Sequence, residues 1–481
     1  MSGFAKSVIV LETITPVHVG TGEEFDPLRL YFYKEIQKGN AGKDLAIDYC
    51  ADLNTEAIIK HLSIEKQDIV SKFSSWINSS YDSMINSIGS LELSKLRGEL
   101  SFAGFLKRYY PDLNDDKIKT LITEGEFFTK KLKINIKNLN NHRFKRHISM
   151  NGQAYIPGTE IKGVIRTALA INIIKNLPNE EVERIFNQAL GDFRDNEAHR
   201  AVPTAESRIM NRLFNCSNNT NKMPYYDLMK FISISDAITK QPVTSLYQLS
   251  TVSLQRNRNR NNSFAVKNQE IDIHELIEKD IKMVFLLEVK LDELLRIRRA
   301  NNREGWIHLD EKFRLAFGYN LSDILARPRQ EAQRLLAQKI LEAIKAHGNA
   351  VLGEDIKWAE KFGFVDPSLQ KIYNPLIKEK EKIANNPQMS FAKIGFGTGF
   401  LTKTIMIEAL NSPRGKELYR NIFAQKKLHV SISKRKGLTM RPGDINPETL
   451  INFPSSRILI SNLKEGGYRP LGWVKLEIED K

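Results

Sequence analysis

The segment Tyr155-Ile156-Pro157-Gly158-Thr159-Glu160-Ile161-Lys162-Gly163-Val164-Ile165-Arg166 constrains this chain more than any other. Pro157-Gly158 is a turn pair, and the residues after it keep helical period. Ile161, Val164, Ile165, Ala168 and Leu169 form one apolar stripe, which predicts a helix to about Asn176 capped by Thr159. A one-sided helix has to lay that stripe on another layer. Strands to receive it are predicted at Ser7–Thr13, Lys131–Ile136, Phe231–Ser235, Met283–Leu291 and the closing Gly472–Ile478. They do not alternate regularly with helices, so the expected class is α+β rather than a doubly wound sheet. Glu56 to about Thr123 reads as an inserted helical segment, broken at Gly89, Gly98 and Tyr110-Pro111-Asp112. Another helical stretch opens at Ser322, restarts after Pro328 and is predicted to end at Ala346, with Gly348 as its cap.

Lys162 and Arg166 lie together on the flank of the helix after Pro157. A helix N-terminus attracts anions through its free N–H groups and partial positive charge. Lys162 stands where a capping box would carry Glu or Gln, which opposes the macrodipole until an anion arrives. The alternative is a lysine that points to water. Gly163 removes a side chain and leaves room for another backbone.

The charge distribution bears on that choice. The chain has 72 Lys and Arg against 57 Asp and Glu, a formal charge of +15. Four stretches lack any acid: 127–159, 237–269, 382–407 and 418–443. The first holds Lys130, Lys131, Arg143, Lys145 and Arg146, and the second holds Arg256, Arg258 and Arg260 spaced by asparagines. Solvated surfaces usually mix both signs, whereas a phosphate-tracking surface needs long runs of one sign. A polyanion, nucleic acid above all, is the partner this implies.

The third stretch contains Lys393-Ile394-Gly395-Phe396-Gly397-Thr398-Gly399-Phe400-Leu401-Thr402-Lys403. It matches neither a Walker A loop nor Gly-x-Gly-x-x-Gly. Alternate glycines let a backbone present N–H groups to phosphate, with Lys393 and Lys403 flanking and Phe396 or Phe400 placed to stack. A glycine-kinked strand with buried phenylalanines is the other reading.

Other classes are excluded. Two cysteines, Cys50 and Cys216, make neither a disulfide framework nor a cysteine-based zinc site, and they fit a reducing cytoplasm. No apolar run approaches the roughly 18–20 residues of a membrane helix. The nine histidines show no His-Glu-x-x-His spacing, and no Gly-x-Ser-x-Gly elbow is present. Glu23, Glu24 and Asp26 suit a metal or a solvated turn equally. No cofactor, metal or catalytic residue is assigned. His18, beside Gly20-Thr21-Gly22, is the one histidine in a suggestive setting, as an RNA contact or loop cap. Its rival role is general base of a metal-independent ribonuclease, with Lys162 or a neighbouring lysine stabilising the transition state.

Together, Thr15-Pro16-Val17-His18-Val19-Gly20-Thr21-Gly22-Glu23, Tyr155-Ile156-Pro157-Gly158-Thr159-x-x-Lys162-Gly163-x-x-Arg166, Gly395-x-Gly397-x-Gly399-Phe400 and Leu471-Gly472-Trp473-Val474-Lys475-Leu476 resemble the RAMP (repeat-associated mysterious protein) superfamily of CRISPR systems, in the branch found in type III-A (Csm) effector complexes. The resemblance implies two RRM-like, ferredoxin-like β-α-β-β-α-β units with helical insertions, expected at 1–290 and 291–481. It implies a cytoplasmic, non-catalytic subunit that caps the 3′ part of the crRNA, supports assembly and crRNA maturation, and touches other Csm subunits, especially the neighbouring backbone RAMP subunit. Trimming of the crRNA would fall to recruited host nucleases, and target-RNA cutting to the backbone subunits. The residues expected on RNA are His18, Arg143, Lys145, Arg146, Lys162, Arg166, Arg256, Arg258, Lys393, Gly395, Gly397, Gly399 and Lys403. Thr159 replaces the family's more frequent serine.

Overall fold

In the computed structural model, the described residues are 6–38, 44–86, 101–125, 127–137, 143–191, 201–218, 225–239, 243–256, 264–300, 305–411 and 456–479. Ser7–Thr13 is a strand whose alternate residues Ile9, Leu11 and Thr13 are wholly buried. Period-two burial of this kind marks a sheet with one face on the core. On one side it pairs antiparallel with Lys282–Val289, on the other with the closing strand Trp473–Ile478. The sheet continues past the closing strand to Met389–Lys393. In the other direction it continues to Ala237–Ile238, Gln153–Ile156 and Ser149–Met150. Two helices, Gly158–Asn176 and Arg329–Gly363, pack against each other and this sheet.

Followed along the chain, this layer runs strand 7–13, helix 158–176, strands 232–238, strand 282–289, helix 329–363 and strand 473–478. The last strand sits beside the first, the first beside the third, and the third beside the second. That is the β-α-β-β-α-β order, with its two halves drawn from opposite ends of the sequence. The second sheet is ordered differently. Thr244–Arg256 and Phe264–Ile277 form its central hairpin, flanked by parallel pairings with Phe128–Ile134 and Phe144–His147. Its outer strands are Gly20–Glu24 at one edge and Asp44–Leu53 with Leu30–Lys38 at the other, while Ser456–Ser461 also pairs with Thr244–Arg256. The class is α+β. Both sheets take strands from either side of residue 290, and the β-α-β-β-α-β order is traced in the first of them.

The helices Thr55–Leu62, Ile69–Asn86, Phe102–Tyr109 and Asp115–Glu124 share a core of their own with Tyr31, Tyr33, Ala51 and Leu53. The much larger core lies between the first sheet and its helices. Cys50 and Cys216 are separate buried thiols. Among the described residues, no helix is long and apolar enough to cross a membrane, and no group of three or more His, Cys, Asp or Glu is placed to hold a metal.

Two local expectations change. The long helix does not stop at Ala346; it runs 35 residues straight through Gly348. A Cβ on Gly348 would lie 2.3 Å from the Phe391 carbonyl oxygen, so this glycine lets helix and strand approach rather than ending the helix. Thr159 is not the cap of its helix, which begins at Gly158 with no side-chain cap of its own. Instead the Gly158 N–H donates to Asp236 Oδ1 at 2.8 Å. A carboxylate from the link between strands 232–234 and 237–238 therefore already occupies the anion-attracting end.

Candidate nucleic-acid interface

The glycine loop joins the two sheets. Lys393 ends its strand, and the Ile394 N–H then donates to Gly472 O at 2.7 Å. Gly395, Gly397 and Gly399 all have positive φ, between 74° and 82°, so each alternate position favours glycine on backbone grounds. At Gly395 space adds to this: a Cβ would sit 2.3 Å from His18 O, and the next residue, Phe396, donates its N–H to that same oxygen at 2.7 Å. Thr398 Oγ1 donates to Gly395 O and Thr402 Oγ1 to Thr398 O, which closes the loop onto the turn Phe400–Lys403. Leu401 is buried, so Lys403 is carried outward.

Below the loop lies a buried ionic triad. Asp355, on the long helix, accepts from Lys393 Nζ at 2.9 Å and from Arg457 Nε at 2.6 Å. Lys393 belongs to the first sheet and Arg457 to a strand of the second, so one carboxylate ties helix and both sheets together. Burial alone would raise the Asp355 carboxyl; the two cations outweigh it and hold the group below its ordinary value.

Two hollows meet at the loop and share Glu160, Gly395 and Lys403. The smaller, about 200 Å³, lies against the helix face formed by Thr159, Gly163, Val164 and Thr167. Among the described residues, nothing approaches within 4 Å of a Cβ on Gly163. The larger, about 420 Å³, runs past Gly20, Lys145, Arg146 and Phe396. Lys403 is exposed at their junction and has no ion-pair or hydrogen-bond partner among the described residues.

On the opposite wall the cations are matched. Arg143 and Lys145 both bind Glu24, the former at 2.8 Å. Arg146 reaches the buried Asp52 at 2.8 Å and lies 4.4 Å from the Phe25 ring centroid. Lys130 pairs with buried Glu275, and Lys131 with Glu35 at 2.7 Å. Acid-free in sequence, this tract is acid-matched in space.

Three imidazoles floor this wall. His18, His147 and His274 are each nearly inaccessible, with ring centroids 5.8 Å (His18–His147) and 4.6 Å (His18–His274) apart. The His18 Nδ1–H donates to Glu275 O at 2.7 Å. His147 accepts at Nδ1 from the Val19 N–H and donates from Nε2 to Tyr155 O, each at 3.1 Å. Burial pushes His18 down to about 4, against its hydrogen bond to Glu275. Burial, then the charge of His18, lowers both His147 and His274 to about 3.

The expected site therefore divides. Gly395, Gly397, Gly399 and Lys403 form the loop and its outward cation, and Lys145 and Arg146 line the larger hollow. Arg143 is beside them on the same strand pair. Lys393 does not face solvent: it is 4% exposed and bound to Asp355. Lys162 and Arg166 are on a different side of their helix from the hollow. Lys162 Nζ donates to Ile232 O at 2.7 Å, with burial lowering its pKa, and Arg166 pairs with Asp227 at 2.8 Å and lies 4.5 Å from the Phe214 ring. They pin the helix to its neighbour. His18 lines the larger hollow but is 2% exposed, holding the glycine loop through its carbonyl. Arg256 ends its strand, and Arg258 lies outside the described residues, as does the whole tract 418–443. Sequence reasoning missed Asp355, although an acid among Leu352, Ala359 and Phe362 on one buried helical face was a usable signal.

Comparison with known proteins completes the description. The family model for the RAMP superfamily matches residues 10–439. A curated relative from Methanocaldococcus jannaschii, "CRISPR system Cms protein Csm5", is 23% identical over 469 residues, covering 97% of this chain and 88% of that protein. Two solved structures resemble it over nearly their whole length. One is from "Cryo-EM structure of Csm-crRNA-target RNA ternary complex in type III-A CRISPR-Cas system", with TM-score 0.47, 18% identity and coverage of 98% of this chain and 100% of that one. The other is "Crystal structure of T.onnurineus Csm5", with TM-score 0.49, 16% identity and coverage of 97% and 99%.

Proposed function

The chain belongs to the RAMP superfamily, and from that premise we propose that it is a crRNA-binding subunit of a type III-A Csm effector complex. Within that complex it takes the position of the fifth Csm subunit, capping the 3′ part of the crRNA and supporting assembly and 3′ maturation, in the cytoplasm and beside a backbone RAMP subunit. The observation that carries the reading is the groove in which the glycine loop, the Gly163 face and Lys403 converge, the last two open and unmatched among the described residues. Backbone N–H groups and a free ammonium suit phosphate oxygens, and such contacts position RNA without specifying its sequence. Arg143, Lys145 and Arg146 border the RNA path from the matched wall.

The subunit does not itself cut RNA. A general base needs reach to a substrate hydroxyl, and His18 is enclosed, with one nitrogen engaged and its basicity far below neutral. Recruited host nucleases would trim the crRNA. Incubating the full-length protein with repeat RNA in EDTA should yield no products; cleavage lost on His18→Ala would reverse this assignment.

The binding site is tested by titrating single-stranded RNA at several salt concentrations. Lys403→Glu should weaken binding and make the slope of log affinity against log salt shallower by about 0.7, one single-strand phosphate. Unchanged affinity and slope in that variant would remove the groove from the RNA path.

A further inference from the structure

Phosphate binding leaves one part of the larger hollow unused. Phe396, between the first two glycines, keeps 36% of its surface exposed although the loop around it is tightly held. The ring is firmly supported. It stacks on His274 at 5.0 Å with the planes 25° apart, and meets His18 edge-on at 5.8 Å. Both imidazoles are buried, which keeps them uncharged near neutral pH, so the phenyl ring has a rigid, neutral backing. Around it stand Glu23, Glu160 and Asp272. Carboxylates repel phosphate but accept hydrogen bonds from base N–H and ribose O–H groups. The volume, about 420 Å³, lies within the usual range of small-molecule pockets, about 300–1,000 Å³.

From this arrangement we infer that the hollow is a nucleobase subsite: one RNA base, turned out of the strand, stacks on the exposed face of Phe396 while its flanking phosphates lie on the rim cations Lys145, Arg146 and Lys403. The inference rests on the RNA-binding reading and adds to it a single base position. Every base has a π-face, so the subsite holds one base without demanding a particular nucleotide.

The test uses the full-length protein and single-stranded RNA carrying 2-aminopurine at one position at a time. One position should change fluorescence on binding. That response should vanish in Phe396→Leu, which keeps the apolar bulk without the aromatic face, and persist in Phe396→Tyr. Binding by Phe396→Leu should be roughly 5- to 150-fold weaker, the value of one stacked base. An abasic residue at the responding position should weaken wild-type binding by a similar factor and cost the leucine variant nothing more. The abasic arm on wild-type protein needs no variant to fold. RNA bound with normal salt dependence, but with no position answering to Phe396, overturns the base subsite and leaves the RNA-binding reading standing. Absence of RNA binding at every salt concentration overturns both.

Discussion

The two walls of the groove are both rich in cations, and they use them in opposite ways. On the strand wall, Arg143 and Lys145 share Glu24, Arg146 holds Asp52, and Lys130 holds Glu275. On the loop wall, Lys393 is sealed beneath the surface against Asp355 and Lys403 stands unmatched among the described residues. A matched cation contributes order to its wall and little net field; an unmatched one contributes field. The +15 of the whole chain is therefore a poor guide to where a polyanion meets it.

The largest expected effect separates the walls by pH. His18, His147 and His274 stay neutral in the folded protein down to about pH 4 or 3, while in the unfolded chain they protonate near 6.5. Below pH 6.5 the unfolded state thus binds more protons, and stability falls as pH is lowered. The slope is at most about 1.4 kcal/mol per pH unit for each histidine, and it disappears above pH 6.5. Protonation of His147 at Nδ1 also removes the acceptor for the Val19 N–H. Urea midpoints at pH 7.5, 6.0 and 4.5 should drop in that order, with a shallower drop in His274→Phe. Equal midpoints would mean that this floor is not held neutral.

Second in size is the loop wall. Asp355→Asn leaves two buried cations without their carboxylate, and breaking a buried pair in this way costs about 3–5 kcal/mol. Urea unfolding measures it, and hydrogen exchange should show the Ile394 and Phe396 amides opening first, because their strand and loop hang from Lys393. A loss no greater than that of a surface pair would erase the contrast between the walls.

The smallest effect lies back on the strand wall. Arg143 is half exposed in its pair with Glu24, so Arg143→Ala should cost no more than about 1 kcal/mol of stability. It should also weaken RNA binding less than Lys403→Ala does, since Glu24 already offsets much of its charge. Parallel RNA titrations of the two variants compare them directly, and equal losses would show that matching does not mute a cation here.

What was legible in the sequence follows from how local each constraint is. The Gly395, Gly397 and Gly399 spacing was readable because positive φ is a property of the backbone at that residue. The helix after Pro157 was readable because its stripe repeats within a few turns. Gly348 was misread because its reason is the Phe391 carbonyl on a separate strand, and nothing local distinguishes such a glycine from a cap. Lys162 and Arg166 looked free because Ile232 O and Asp227 are more than sixty residues away. The basic tract looked bare for the same reason: Glu24, Glu35, Asp52 and Glu275 reach it only through sheet pairing. Charge in sequence is local, whereas compensation in a mixed sheet is not.

The first strand is a central strand of its sheet, and one of its two partners is the closing strand. Thr15 Oγ1 accepts the Trp473 N–H across 458 residues. During synthesis at about 5–20 residues per second, the first strand leaves the ribosome and then waits on the order of half a minute or more for that partner. For that interval its edge, Val8 and Val10 included, is an open template for other strands. Completion of this sheet is a late event in the life of the nascent chain. A ribosome that stalls shortly before Trp473 would hold a chain whose first sheet is still unzipped along its middle.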